Sequence, residues 1–345
     1  MTGNDLDAML ADTTGLCKVL EICGGDMSGT FKSMMDRTFL SVEYGQRRLL
    51  PPALMSDEAG LRIWKDITRL PDYYQTRDEI SLLEAHGKEI ASHLSEGCVL
   101  IDLGCGDMRK VKPLLDTLEA SQKSVLYLTL DISKPTLEEC LSQLRPKYRF
   151  VRCARLWGTF ADALKWAATS KCPNFFLSWA PSMVMTASIA SRFGTHTTMT
   201  MEYLKSFMRN ALSHSNEVLG HEWYRPDDWK VLGILDPQYP IHHRFVFRAV
   251  RLVQCEAVQL EFGVGEEIDC YEVFKNGPDI LRRAFAMANL SEIGNWTAPS
   301  GSFPGGGHYL RLQDWAIGTS HLEGGPGGRD SNLMIRQDTE FTSIK

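Results

Sequence analysis

The 345-residue chain has no surplus of cations: 37 Lys and Arg stand against 43 Asp and Glu, a formal net charge of −6. Its basic residues do not cluster, which argues against a nucleic-acid partner, because binding phosphates requires a basic footprint. No apolar run reaches the roughly 18 residues a membrane-spanning helix needs. The opening Met1-Thr2-Gly3-Asn4-Asp5 lacks the charged and apolar pattern of a signal peptide, so a cytoplasmic location with no membrane partner is expected. None of the 9 cysteines belongs to a CxxC pair, and several lie in apolar runs. Buried thiols in a reducing compartment are expected, with no metal site. There is no internal repeat. With 43% hydrophobic and 23% charged residues the composition is that of one large globular domain or two modest ones.

What is present begins at Val99-Leu100-Ile101-Asp102-Leu103-Gly104-Cys105-Gly106-Asp107. An apolar run up to Asp102 precedes two glycines, and Val111, Leu114, Leu115 and Leu118 then share a helical face. The pattern predicts strand, tight turn and helix. Val125 to Leu130 predicts a second strand, closed by Asp131. A glycine turn after one strand and an acid ending the next describe a nucleotide-ribose site. Glycines at 104 and 106 let the backbone approach a ligand. Asp131 can accept hydrogen bonds from ribose hydroxyls, worth about 1.5–3 kcal/mol each. The dinucleotide pattern G-x-G-x-x-G would require a third glycine, but position 109 is Arg. That departure suits S-adenosylmethionine, which has no pyrophosphate. The same residues also fit an ordinary strand–helix–strand unit with no ligand.

Along the chain, residues 1–27 are expected to form a loose lead-in, 28–70 the first part of a substrate lobe, and 71–216 the nucleotide-binding core. Residues 217–315 are expected to complete the substrate lobe, and 316–345, Gly-rich and polar, to be disordered. A helix is predicted over 31–50, ended by Pro51-Pro52, and a short amphipathic segment over 61–70. Thr76 and Glu79 read as a capping box for a helix carrying Leu83, Ile90 and Leu94. Tyr148–Cys153 and Asn174–Ser178 read as the third and fourth strands. The Gly158-Thr159-Phe160 loop lies where adenine is commonly contacted. Residues 179–200 show no strong period. Strands with partial alternation are expected over 243–253, 257–262, 268–274 and 309–312, with a helix over 278–288.

Four stretches together resemble one family: Leu49-Leu50-Pro51-Pro52, Ile67 through Glu79 with the pair Tyr73-Tyr74, Asp102 through Lys110, and Leu130-Asp131-Ile132-Ser133. The family is the histidine-specific type of S-adenosylmethionine-dependent amino-acid N-methyltransferase, which includes ergothioneine-pathway enzymes and fungal relatives acting on tryptophan or 4-dimethylallyltryptophan. The resemblance implies an α/β fold, a Rossmann-like class I methyltransferase core with a second, mixed α+β substrate lobe. It implies S-adenosylmethionine as cofactor, with Gly104, Cys105 and Lys110 at its methionine end, Gly106 also cofactor-binding, Asp131 on the ribose, and Thr159 and Phe160 near the adenine. It implies a small amino-acid-like substrate and Tyr73 as a pocket residue. A monomer is expected.

The chain also departs from the family. Ser56 takes the place of a pocket tyrosine. Ser178-Trp179-Ala180-Pro181-Ser182-Met183-Val184 lacks the asparagine that holds the substrate carboxylate, and the 213–221 connection is much shorter. Asp269-Cys270-Tyr271-Glu272-Val273 is not the imidazole-binding pattern of the histidine enzymes. These differences favour an aromatic, tryptophan-like substrate with Tyr73 and Tyr271 lining its pocket, and Tyr73 and Glu272 as candidates for positioning the amine. A histidine Nα-methyltransferase, or a degenerate member that binds the cofactor without methylating, are the alternatives.

Overall fold

The computed structural model describes residues 19–24, 27–42, 47–71, 73, 75–104, 106, 108–144, 148–170, 172–178, 199–236, 242–274, 278–287, 291–297 and 309–314. Cys105, Tyr74, Trp179, the rest of 179–198 and the tail 315–345 lie outside them.

In chain order the elements are β1 (Val19–Glu21), α1 (Met27–Met35), β2 (Arg48–Leu49), α2 (Glu58–Ile67), α3 (Gln75–His93), β3 (Cys98–Leu103), α4 (Lys112–Ala120), β4 (Val125–Asp131), α5 (Lys134–Leu144), β5 (Val151–Trp157), α6 (Phe160–Ala167) and β6 (Asn174–Ser178). They continue with α7 (Met199–Leu219), β7 (Trp229–Asp236), β8 (His242–Ala249), β9 (Val253–Cys255), β10 (Leu260–Phe262), β11 (Glu267–Phe274), α8 (Pro278–Met287), β12 (Ser291–Thr297) and β13 (Tyr309–Asp314).

The first sheet is all parallel, in the order β1-β5-β4-β3-β6. Every residue of β3 and β4 is buried, as expected of central strands covered on both faces. One face packs Leu100 and Tyr127 against Leu82, Leu83 and Ile90 of α3 and Leu114, Leu115 and Leu118 of α4. The other packs Val99, Ile101, Leu126 and Leu128 against Ala163 and Trp166 of α6. The chain runs outward from β3 to β4 to β5, then returns to place β6 on the other side of β3. That reversal falls between β3 and β6 and opens a crevice at the carboxyl end of β3, where doubly wound sheets bind ligands.

The second lobe is a four-stranded sheet, β2-β11-β8-β7, antiparallel except for the short β2–β11 pair. Its core joins Phe39, Leu54 and Ile67 from the first third of the chain to Phe207, Trp223, Phe245, Phe247 and Phe262. Among the described residues no helix is long and apolar enough to cross a membrane. Cys23, Cys98, Cys153, Cys172, Cys255 and Cys270 are free thiols.

Several boundaries differ from those read in the sequence. Val19–Glu21, assigned to a loose lead-in, is an edge strand paired in parallel with Arg155–Trp157. The helix expected over 31–50 stops early: α1 ends in a wide turn at Asp36–Leu40, and Arg48–Leu49 is a strand. The third strand is Val151–Trp157 rather than Tyr148–Cys153. Helix α7, placed by sequence in the nucleotide core, buries Leu204, Phe207, Met208, Ala211 and Leu212 in the core of the second lobe. The β12–β13 hairpin does the reverse. It was assigned to the substrate lobe, yet Trp296 packs with Leu82 and Leu114 and donates through Nε1 to Glu89 of α3 at 2.8 Å. An amphipathic helix or hairpin carries no local mark of which apolar surface will cover it.

Candidate functional site

The site is built at the carboxyl ends of β3 and β4. Gly104 and Gly106 both lie at positive φ, +72° and +44°. Side chains disfavour that region, so glycine is the natural choice at both. The Gly104 amide donates to the Leu130 carbonyl at 2.9 Å, which pins the loop to the end of β4. A Cβ at Gly104 would stand 3.7 Å from the ring of Phe160, so the aromatic residue that begins α6 closes one wall of the loop. Beneath the loop, Asp102 is fully buried and accepts a 2.5 Å hydrogen bond from the hydroxyl of Tyr127.

Asp131 ends β4 with its carboxylate turned inward. It accepts from the Ser133 amide at 2.9 Å and from the backbone amides of Ile132 and Gly106. Burial pushes its pKa up to about 6, against the lowering effect of those amides. The acid thus links the two loops expected to hold the cofactor: the glycine turn and the turn after β4. A buried acid with a raised pKa at such a crevice is a candidate for a functional role.

Lys110 closes the turn that follows the glycines. Its ammonium lies 2.8 Å from the carboxylate of Glu79 on α3, and both side chains are largely buried. Arg109, which stands where a third glycine would be, reaches the hydroxyl of Thr68 at 3.3 Å. Thr68 follows α2, so this contact ties the glycine loop to the second lobe.

Between α2, the glycine loop and the start of α5 lies a cavity of about 180 Å³, lined by Trp64, Lys65, Thr68, Gly106, Met108 and Thr136 among others. Lys65 and Glu139 form an ion pair between α2 and α5. The Trp64 ring meets Tyr73 edge-on at 5.7 Å and Phe207 at 5.3 Å. Tyr73 is therefore part of an aromatic cluster one ring behind the cavity wall.

The sequence-derived residues separate into two groups. Gly104, Gly106, Lys110, Asp131 and Phe160 converge around the glycine turn, while Cys105 lies outside the described residues. Thr159, expected near the adenine, also caps its helix, α6: its hydroxyl donates to Asp162 at 2.6 Å and accepts from the Asp162 amide at 3.2 Å. A reciprocal capping box of this kind commits the hydroxyl to the helix. Thr159→Ala is expected to lower stability by about 1 kcal/mol while leaving cofactor affinity nearly unchanged; denaturant midpoints and calorimetry check the two halves separately.

Glu272 and Tyr271 lie on β11 in the other sheet. The Glu272 carboxylate is 3.3 Å from Arg244 and 3.7 Å from Arg47, and the same arginines hold the neighbouring Asp269. Its charge is already matched, which weakens the case for it as an amine holder. Tyr271 follows a bulge in the β8–β11 ladder and packs half-buried against the lobe's core. Sequence reasoning did not single out Trp64, Glu79 or Arg109 as site residues. The Thr76/Glu79 spacing had been read as a cap, but α3 begins at Gln75 and Glu79 faces Lys110 instead.

A parallel doubly wound sheet with a two-glycine turn after its first central strand and a buried acid after the next defines the class: a Rossmann-like nucleoside-cofactor enzyme core with an added sheet lobe. The model of the histidine-specific, S-adenosylmethionine-dependent methyltransferases matches residues 38–187 and 198–305, and the chain belongs to that family. The resemblance drawn from the Tyr-Tyr and glycine blocks is confirmed, and with it the family's cofactor. Among curated relatives, ergothioneine biosynthesis protein 1 of Neurospora crassa is 28% identical over 289 residues, 72% of this chain and 32% of that protein. The 4-dimethylallyltryptophan N-methyltransferase easF of Claviceps purpurea is 43% identical over 122 residues, 35% of this chain and 36% of that protein. The N-methyltransferase imqF of Aspergillus flavus is 27% identical over 292 residues, 74% of this chain and 79% of that protein. The chain thus spans about a third of the length of the first two.

Proposed function

We propose that this chain is a cytoplasmic S-adenosylmethionine-dependent N-methyltransferase acting on the amine of an amino acid, with a tryptophan-like aromatic side chain preferred over histidine. The observation that carries the reading is the cavity beside the glycine turn, walled by Trp64 with Tyr73 and Phe207 stacked behind it. A planar apolar side chain gains both buried area and edge-to-face contacts against such a wall. The Glu272 carboxylate, a candidate acceptor for an imidazole N–H, is already held by Arg244 and Arg47. Relatives described as acting on 4-dimethylallyltryptophan support the same direction.

The residues around the glycine turn fit the cofactor: two positive-φ glycines open the backbone, Asp131 offers a carboxylate for ribose hydroxyls, and Phe160 offers an aromatic face. When bound, S-adenosylmethionine supplies an electrophilic sulfonium methyl. The protein's own work is placement, and well-oriented reactants can gain about 7–11 kcal/mol over free encounter. The amine must arrive unprotonated. A chain-terminal amine, with a pKa near 8, is roughly a tenth neutral at pH 7; the amine of a free amino acid is more basic and less of it is neutral, so a group that takes its proton would help.

Purified protein incubated with S-adenosylmethionine and an equimolar mixture of histidine, tryptophan, tyrosine and 4-dimethylallyltryptophan is expected to methylate tryptophan or its prenylated derivative first, read by mass spectrometry. Faster methylation of histidine would overturn the substrate assignment. Cofactor binding without any product would favour the degenerate reading.

A further inference from the structure

On the reading that the glycine turn and Asp131 hold the cofactor, we propose that Ile22, just beyond the edge strand β1, is a positioning residue for its nucleoside end. Ile22 seats the loop 157–160 against the turn that follows β4. The sequence marks this part of the chain as a loose lead-in, and only the fold brings it to the site.

The loop is held from two sides. On the inner side the Gly158 amide donates to the Asp131 carbonyl at 3.2 Å. The Trp157 indole donates to the Ile132 carbonyl at 2.9 Å. Lys134, at the start of α5, lies 4.8 Å from the centroid of the Trp157 ring and adds a cation–π contact. The loop is thereby laced to the acid that ends β4. On the outer side β1 pairs with the end of β5, Leu20 opposite Leu156 and Glu21 opposite Trp157. The Ile22 amide continues this ladder by donating to the Trp157 carbonyl at 3.0 Å. Leu20 is buried, and Ile22 and Phe160 pack against the same core.

Gly158 shows how closely the two sides meet. A Cβ there would stand 2.7 Å from Cγ1 of Ile22, well inside carbon–carbon contact distance, but 3.4 Å from Cβ of Asp162. Isoleucine is stiff at χ1, so its Cγ1 does not swing aside freely. A side chain at 158 therefore pushes either the loop or β1 out of place. With the Thr159 hydroxyl engaged by Asp162, the loop offers a nucleoside its backbone and the Phe160 ring. Both are placed by the loop's course, and binding geometries are held to within about 0.5 Å by the residues that support them.

The test is a double-mutant cycle on the full chain, read by calorimetry with S-adenosylhomocysteine and with 5′-methylthioadenosine, which has the adenosine but no amino acid. Gly158→Ala is expected to weaken both ligands about tenfold, and Ile22→Ala about threefold, within the range of coupling between touching residues. The two changes combined should return affinity to within about twofold of the parent, because Ala at 158 fills the space that Ile22→Ala vacates. Ile22→Val keeps both γ carbons and should also bind within about twofold of the parent. If Gly158→Ala folds poorly, Ile22→Ala, Ile22→Val and the double variant still decide the matter. Variants that lower the thermal midpoint but bind both ligands like the parent overturn the proposal and leave β1 as a structural edge. So do losses that multiply rather than cancel, or a loss confined to S-adenosylhomocysteine. Parent protein that binds neither ligand is a separate result, which overturns the cofactor reading itself.

Discussion

Asp131→Asn is expected to weaken cofactor binding about 10- to 100-fold at pH 8, and to remove a pH dependence that the parent protein shows. The carboxylate sits at the end of β4 with its pKa pushed up to about 6 by burial. Ribose hydroxyls donate to the ionised form, and each such bond is worth about 1.5–3 kcal/mol. Lowering the pH through 6 protonates the acid and converts an acceptor into a donor. Affinity should therefore be flat above about pH 7 and fall as pH drops below 6, a fall that the Asn variant lacks. The sign for stability is opposite. The carboxyl is raised from 3.8 in the unfolded chain to about 6 in the fold, so the protonated acid is the form that folding favours. Its contribution is fully present below pH 3.8 and lost as pH rises through about 6. In the absence of cofactor, Asp131→Asn should not lower the thermal midpoint at pH 8. Calorimetric titration and thermal scans on one sample separate the two effects. A variant that binds as well as the parent at pH 8 would remove Asp131 from the ribose site.

Trp223→Ala should be the most damaging single substitution in the second lobe, costing about 3–5 kcal/mol. Trp223 is 2% exposed. Its ring centroid lies 5.1 Å from Phe39, 5.8 Å from Phe262 and 6.0 Å from Trp229. Its Nε1 donates to Ser215 at 3.0 Å, and its backbone amide donates to Asn216 at 3.1 Å. These partners come from α7, β7, β10 and the turn after α1, so truncation opens a cavity where four distant segments meet. Neighbours fixed by their own elements cannot collapse into it, which places the cost in the upper part of the range. A shift of the urea midpoint equivalent to less than about 1 kcal/mol would mean that the aromatic cluster does not hold the lobe together.

The glycine turn and the acid after β4 were readable because the parts that build them are local. Strand, two glycines, amphipathic helix, second strand and terminal acid follow one another within residues 98–131, and each is marked by its own periodicity or conformational demand. The position of Asp131 at the end of a central strand could be read from sequence alone, since strand ends in a doubly wound sheet face the ligand crevice. The family resemblance drew on the same stretch. Thr159 shows the limit of this reasoning. Its position beside the adenine loop was legible, but the commitment of its hydroxyl to Asp162 depends on where α6 begins. Glu79 shows it again: the spacing to Thr76 fits a cap, yet α3 starts at Gln75, two residues earlier than that cap requires, and the Glu79 carboxylate pairs with Lys110.

The sequence by itself determined the order of the nucleotide core, its glycine turn and its acid, because neighbours in the chain remain neighbours in the fold there. Tertiary structure alone decided the rest. It placed Val19–Glu21 at a sheet edge beside Arg155–Trp157, moved α7 into the second lobe, and docked the β12–β13 hairpin on α3 through Trp296 and Glu89. It also matched the charge of Glu272 with Arg244 and Arg47 and set Trp64 into a cavity wall. Each of these joins residues far apart in sequence. Such a pairing is selected by the burial it completes, and an apolar stripe or an unpaired charge carries no local record of the surface that will meet it.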